Sequence, residues 1–273
     1  MRLGAPRTAE AVERGYNNRA AVPDYARWFA RWTECSVAAL ASERVARDLR
    51  YGPGPKETLD LFVHGGYWRA IDKADHAFVA PPLTAQGYAV GVVNHDLCPQ
   101  VTIAAIVEQC ARAVAWVVRE GTRHGASAAR LVVGGHSSGG HLAAMMMAHD
   151  WRGHGFASSP VHGGVSLSGL HDLRPLTRFS YNVDLKLDDS EAARLSPALL
   201  RPTTGGPLAI AVGGAETSEF LRQADLMWDA WPRNRPAGMS GPLVVPGKHH
   251  FDVVLEHADP ASALTQATTA LFG

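Results

Sequence analysis

Short apolar runs rich in Val, Leu and Ile recur along this chain, separated by longer amphipathic stretches. Runs of that length bounded by turn residues read as buried strands. They fall at 58–63, 88–93, 130–134, 162–168, 207–213 and 242–245. Helical patterns lie between them near 74–86, 101–124, 138–149, 217–231 and 259–271. An earlier helix is read over 24–48, with Trp28, Phe29, Trp32, Val37 and Leu40 on one face. Tyr51-Gly52-Pro53-Gly54-Pro55 marks a turn. Strand–helix alternation predicts an α/β fold with a mostly parallel central sheet and helices on both faces. Ligands of such a sheet sit beyond the carboxyl ends of its strands. No repeat, low-complexity tract or linker interrupts the pattern, so residues 1–273 are read as a single domain.

Composition narrows the classes of function. A chain of 273 residues can bury a large core. Its 26 basic and 26 acidic residues cancel, and no basic stripe argues for nucleic acid or an anionic membrane. Cys35, Cys98 and Cys110 are odd in number and widely spaced, which fits neither a disulfide framework nor a zinc site. That usage suits a reducing, cytoplasmic setting. The start, Met1 to Pro6, lacks the apolar core of a signal peptide, and no apolar run approaches a membrane span. Apart from His249-His250 the thirteen histidines are scattered, with no metal-ligand spacing such as H-E-x-x-H. The expected partner is therefore a small molecule, without metal or organic cofactor, for a monomer or homodimer.

Two motifs carry the chemistry. Gly135-His136-Ser137-Ser138-Gly139 lies between the apolar run Leu131-Val132-Val133 and the helix-forming run Leu142 to Met147. A G-x-S-x-G between strand and helix raises the serine hydroxyl above the sheet on a tight, strained turn. The glycines remove Cβ atoms that would collide there. The turn also aims the Ser138 amide, at a helix N-terminus, toward developing negative charge. The second motif, His64-Gly65-Gly66-Tyr67-Trp68, directly follows the strand-like Leu59 to Val63. Glycines in such a loop let backbone N–H groups approach a substrate carbonyl oxygen. The Gly66 and Tyr67 amides are the expected donors, with Gly65 as alternative; a plain Gly-Gly turn is the bland reading.

A serine nucleophile needs a histidine base, and the histidine needs a carboxylate. The chain order for this fold class is Ser, acid, His. Glu216 is the first carboxylate after the strand Leu208 to Val212; Glu219 and Asp225 fall within the following helix. The competing reading of Glu216 is a carboxylate that only supports that helix's dipole. The last strand, Leu243 to Val245, leads into His249-His250-Phe251, and His250, beside the apolar Phe251, is preferred as base. His136 and His141 come too early for that role and read as packed neighbours. His64 is expected to brace its own loop. Trp68, Tyr67 and the segment Phe179-Ser180-Tyr181-Asn182 can line an aryl pocket, Trp68 and Tyr181 foremost; the alternative is that these rings are core.

Together these residues resemble the α/β-hydrolase family of kynurenine formamidases (arylformamidases) and related bacterial esterases. The resemblance rests on His64 to Arg69, Asn94-His95-Asp96-Leu97-Cys98-Pro99, Gly135 to Leu142, Ser218-Glu219-Phe220 and His249 to Asp252, with Tyr16 to Pro23 similar to a bacterial branch. It implies an α/β-hydrolase fold, a nucleophile at Ser137, a base at His250, and a cap or pocket insertion over 170–200. It also implies hydrolysis of an aryl formamide such as N-formylkynurenine, or of small esters; a hydrolase fold without activity is the contrasting class. Two departures stand out. Glu216 occupies a place where the family commonly has Asp. Phe62 also runs through Val63 straight into His64 where relatives carry a turn and a separate strand. The sheet should therefore have one strand fewer, or residues 44–50 should replace it.

Overall fold

The computed structural model describes residues 4–6, 8–42, 46, 48–53, 56, 58–61 and 63–273. The strands are β1 (Leu49–Arg50), β2 (Thr58–Leu61), β3 (Gly91–Val93), β4 (Val132–His136), β5 (Gly163–Leu167), β6 (Leu208–Gly213) and β7 (Leu243–Val245). The last four are parallel in the order β4-β5-β6-β7, with Gly135 opposite Ser166 and Ser166 opposite Ile210. The first three pair antiparallel in the order β1-β2-β3. Val63 joins the two groups, bridging Val93 on one side and Gly135 on the other, both in parallel sense. Its N–H donates to the Gly134 carbonyl at 3.0 Å.

The expected departure near Phe62 is answered in part. Phe62, and residues 44, 45 and 47, lie outside the described residues. Within 44–50, Leu49–Arg50 supplies a short strand paired with β2. Pairing changes from antiparallel at Leu61 to parallel at Val63 within two residues, which leaves no length of chain for a hairpin between β2 and the glycine loop.

The long helices follow their apolar periodicity. Helix Ile103–Glu120 is capped by the Thr102 hydroxyl and buries Ile103, Ile106, Val107, Cys110, Ala113, Val114 and Val117. That spacing of three and four places one stripe on the sheet. Helix Ser138–Ala148 has no polar face; Ser138 through Met147 are all buried, as befits a central helix covered on every side. Helix Tyr25–Ser42 buries Trp32, Ser36 and Ala39, whereas Val37, expected on that face, is 62% exposed. Steps of four and three from Trp32 reach Ser36 and Ala39, and Val37 falls well round the helix.

The helix read over 74–86 is instead two 3₁₀ turns, Lys73–Asp75 and Ala77–Val79, and a short helix Pro81–Thr84. Pro81 and Pro82 cannot donate to the preceding turn, and Asp72 caps a fresh start with its side chain. Cores form on both faces of the sheet. One is built around Ile106, Leu142, Met146, Leu170 and Phe220, the other around Trp32, Phe78, Leu167, Val253 and Leu264. Among the described residues no helix is long and apolar enough to cross a membrane.

The interior also holds neutral histidines. Burial pushes His76 and His141 down to about 3, and His171 and His257 down to about 4. In the unfolded chain the same rings titrate near 6.5. Below that value the unfolded state binds more protons, so stability falls as pH falls. Each ring contributes up to about 1.4 kcal/mol per pH unit. Urea unfolding between about pH 7.5 and 5.5 is expected to show a midpoint that drops progressively on the acid side; a flat midpoint means these rings are not held neutral.

Candidate active site

Strand β4 ends at His136, and the chain turns through Ser137 into the central helix. Ser137 adopts φ 58° and ψ −121°, a conformation that costs a non-glycine residue about 1–3 kcal/mol. The surroundings hold it: Ser137 N–H donates to the Leu167 carbonyl at 2.8 Å, and its carbonyl accepts from His141 N–H at 3.1 Å. The flanking glycines are required by backbone proximity. A Cβ on Gly139 would lie 2.0 Å from the Val63 carbonyl oxygen, and one on Gly135 would lie 2.3 Å from that of Gly139.

The Ser137 hydroxyl lies 3.0 Å from His250 Nε2, and His250 Nδ1 lies 2.6 Å from Glu216 Oε2. The other Glu216 oxygen accepts from the Gly213 amide at 2.9 Å and from the Ser168 hydroxyl. The Glu216 side chain is fully enclosed and sits in the turn after β6, one residue before the Thr217 cap of the next helix. The rival carboxylates are elsewhere. Glu219 pairs with Arg222 at 2.9 Å, and Asp225 is exposed.

The histidine pair separates in the same way. His249 Nδ1 accepts from the Phe251 and Asp252 amides at 3.1 and 3.2 Å, and its ring meets Trp28 edge-on. His136 packs 4.7 Å from the His250 ring and is held well below its ordinary value, first by burial and then by repulsion from His250. His141 bonds the Leu195 carbonyl at 2.7 Å.

Over this site runs the loop after Val63. Gly66 has φ +97°, and a Cβ there would lie 2.2 Å from the Ala70 carbonyl oxygen. Tyr67, Trp68 and Ile71 also have positive φ, of 50°, 56° and 63°. Among the described residues no acceptor is found for the Gly66, Tyr67 and Ser138 N–H groups. The Ser138 hydroxyl has a part that sequence did not disclose: it accepts from Trp68 N–H at 3.3 Å, tying elbow to loop. His64 braces the loop through the Gly65 carbonyl at 3.0 Å and the Asn94 amide oxygen at 3.2 Å. His95 stacks on His64 at 4.3 Å, which gives the Asn94-His95 segment a supporting place.

The cleft encloses about 540 Å³, counting its open mouth. Tyr67 and Tyr181 line it, with Tyr181 packed against Tyr67 at 5.5 Å. Trp68 does not. It is fully buried, its ring edge-on to His141 at 4.9 Å, behind the loop. The left-handed backbone at Trp68 accompanies this inward turn, and no spacing along the chain discloses it. Phe179 is buried against Tyr16 and Tyr67. Asn182 holds its own loop through the Thr177 and Leu187 carbonyls. Residues 170–200 form short turns and helices, of which Tyr181 reaches the cleft.

Sequence reasoning missed the wall built by the N-terminal region, where Asn18, Arg19, Phe29 and Trp32 line the cleft with Ile71 and Phe251. The signal available was the aromatic cluster of the 25–32 segment, which periodicity assigned to packing alone. Elsewhere, tertiary folding gathers Glu108, His149 and His154, whose donor atoms lie within 4.8 Å of one another. None of the three lines the cleft.

The chain is similar to several known proteins. The BD-FAE family model matches residues 53–156. A kynurenine formamidase of Salmo salar is 29% identical over 243 residues, covering 82% of this chain and 80% of the relative. One of Danio rerio is 27% identical, covering 83% and 81%. A crystal structure of a candidate thioesterase from a Silicibacter species is 31% identical with a TM-score of 0.83, covering 94% of this chain and 98% of that one. Esterase B of Lactobacillus rhamnosis shares the fold at 18% identity and a TM-score of 0.66.

The close backbone approach is testable. Gly139→Ala is expected to lower stability by about 1–3 kcal/mol or more, as overpacking does, read as a reduced urea midpoint. Gly153→Ala, where a Cβ meets nothing within 4 Å, is the control and should barely move it. Equal midpoints for the two variants would mean that the elbow does not press on Val63.

Proposed function

This chain belongs to the α/β-hydrolases, in their kynurenine formamidase-like family, and on that premise we propose that it is a serine hydrolase acting on aryl formamides through an acyl-enzyme. One observation carries the reading: an unbroken chain of contacts from Ser137 through His250 to Glu216, beneath amides that have no partner among the described residues. Ser137 Oγ attacks the formyl carbon while its proton passes to His250 Nε2. Glu216 accepts the His250 Nδ1–H, which fixes the tautomer and stabilises the imidazolium. The carbonyl oxygen, now negative, faces the Gly66, Tyr67 and Ser138 N–H groups; one such donor is worth about 2.7–4 kcal/mol at the transition state. His250 returns the proton to the departing aryl amine. Water then attacks the formyl-enzyme with His250 as base, releasing formate and restoring the serine.

Phe29, Trp32, Tyr181 and Phe251 give the cleft the aromatic walls that an aryl leaving group requires. Residues 170–200 act as the cap of this pocket, contributing Tyr181. A second reading, carboxylester hydrolysis, uses the same apparatus. It is favoured by a rice relative named a probable isoprenylcysteine α-carbonyl methylesterase, 24% identical over 252 residues. Parallel turnover of N-formylkynurenine and short p-nitrophenyl esters separates the two; turnover of the esters alone selects the second. Failure of a fluorophosphonate to label Ser137 would remove both.

The residue roles make distinct demands. Ser137→Ala should abolish turnover with unchanged circular dichroism, and Ser138→Ala should be much milder. His250→Ala should cost several orders of magnitude, and His249→Ala far less. Steady-state rates that reversed the histidine ranking would move the base.

Glu216→Gln should slow the reaction by about 10²–10⁴-fold, because an amide can donate to Nδ1 and hold the wrong tautomer. Asp225→Asn should leave the rate within about twofold, as an exposed site away from the chemistry. Retention of more than half the wild-type rate by Glu216→Gln would place the acid elsewhere.

A further inference from the structure

Two polar groups in the cleft have no task in the chemistry above. Asn18 lines the cleft at 4% exposure, and its Nδ2 finds no acceptor among the described residues. Buried donors are almost always paired, so an unpaired one in a binding cleft points to an acceptor that arrives with the ligand. Arg19 lines the cleft at its exposed edge. Its guanidinium lies over the Tyr25 and Phe29 rings at 5.1 and 5.6 Å and forms no ion pair with a described residue. The other cation of the lining, Arg69, is already neutralised by Asp184 at 2.6 Å.

The segment that presents Asn18 and Arg19 is held firmly. The Tyr16 hydroxyl accepts from Gln223 at 2.8 Å and Arg222 at 3.1 Å, and the Tyr16 carbonyl accepts from the Tyr67 hydroxyl at 2.5 Å. Thr217 donates to the Gly15 carbonyl at 2.6 Å. The Asn17 side chain caps the turn Asn18–Ala21, accepting from Ala20 N–H at 3.0 Å. The two groups thus face the cleft from a preorganised position, fastened to the glycine loop on one side and the Glu216 turn on the other.

We propose that Asn18 and Arg19 form an anion subsite that binds a carboxylate carried by the substrate away from its scissile carbonyl. One guanidinium and one amide N–H match the two oxygens of a planar carboxylate. Stacking on Tyr25 and Phe29 occupies the guanidinium face and leaves its N–H edge for the anion. With Phe29, Trp32, Tyr181 and Phe251 around it, the subsite selects aromatic substrates bearing a negative charge. This inference rests on the serine-hydrolase reading for its turnover assay and on the cleft alone for its binding assay.

The test compares 3-acetoxybenzoate with its neutral isostere 3-acetoxybenzamide. The wild-type protein should favour the anion by about tenfold or more in kcat/KM at low salt, and the ratio should shrink as salt screens the exposed arginine. Arg19→Gln and Asn18→Ala should bring the ratio toward one. Arg27→Gln, whose side chain lies over Trp28 and pairs with Asp24 outside the cleft, should preserve it. A wild-type ratio near one, or an Arg19→Gln variant that keeps the wild-type ratio, overturns the subsite. If neither ester is turned over, the ester-hydrolysis reading fails on its own and the formamide reading stands or falls on N-formylkynurenine. Calorimetric binding of 3-hydroxybenzoate against 3-hydroxybenzamide then judges the subsite: tighter anion binding that Arg19→Gln removes supports it, and equal affinity overturns it.

Discussion

The Val63 carbonyl oxygen lies where a side chain on Gly139 would have to be, and the rest of the site is arranged around that backbone contact. Val63 bridges Gly135 on β4 and Val93 on β3, so the same residue joins the two parts of the sheet. The glycine loop leaves from the very next position, and Ser137 stands two residues before Gly139. Distance from the Ser137 hydroxyl to the loop amides is therefore set by main chain against main chain, in an interior packed too closely to give way easily. The Trp68 N–H bond to the Ser138 hydroxyl fastens the two pieces a second time.

Strain collects in this small volume. Ser137, Tyr67, Trp68, Ile71 and Ser168 all hold positive φ without being glycine. Such conformations persist only where the surroundings over-determine them. Here the surroundings are the parallel strand ends: Ser137 N–H donates to Leu167, and Ser168 N–H to Ala211, each at 2.8 Å. The same strand ends deliver Glu216 after β6 and His250 after β7. Trp32 then fixes the histidine loop from outside, its indole N–H donating to the Phe251 carbonyl at 2.8 Å. The Phe220 ring lies 4.5 Å from that of His250 on its other side. The serine–histidine–carboxylate arrangement and the cleft wall thus share their supports, with the N-terminal helices acting as part of the site.

Much of this was legible in the chain. The G-x-S-x-G and His64-Gly65-Gly66 motifs work through local backbone geometry, and local geometry is written in adjacent residues: glycine where a Cβ has no room, an apolar run before, a helix-former after. Chain order in a parallel sheet likewise pointed to Glu216 and to the pair His249-His250, because a strand's carboxyl end is found from the strand alone. The broken 74–86 segment was also written there, in Pro81-Pro82, beneath an apolar pattern that looked continuous. Val37 failed for a similar reason, since an apolar residue need not lie on the buried face.

Other features had no local signal. Trp68 turns behind its loop onto His141 because left-handed residues redirect the chain, so its closeness in sequence to the glycines says nothing about the direction of its ring. Asn18, Arg19, Phe29 and Trp32 reach a site built mainly from residues after 60, through contacts that span some two hundred positions, such as Tyr16 with Gln223. Sequence by itself determined the fold class, the elbow, the loop and the order of the chemistry-bearing residues, because each follows from periodicity or from steric demands among neighbours. Only the tertiary structure decided which rings face the cleft, which histidine of the pair meets the serine, and that the N-terminal helices form a wall. Those outcomes depend on how distant segments exclude one another from the same space, and no spacing along one segment encodes that.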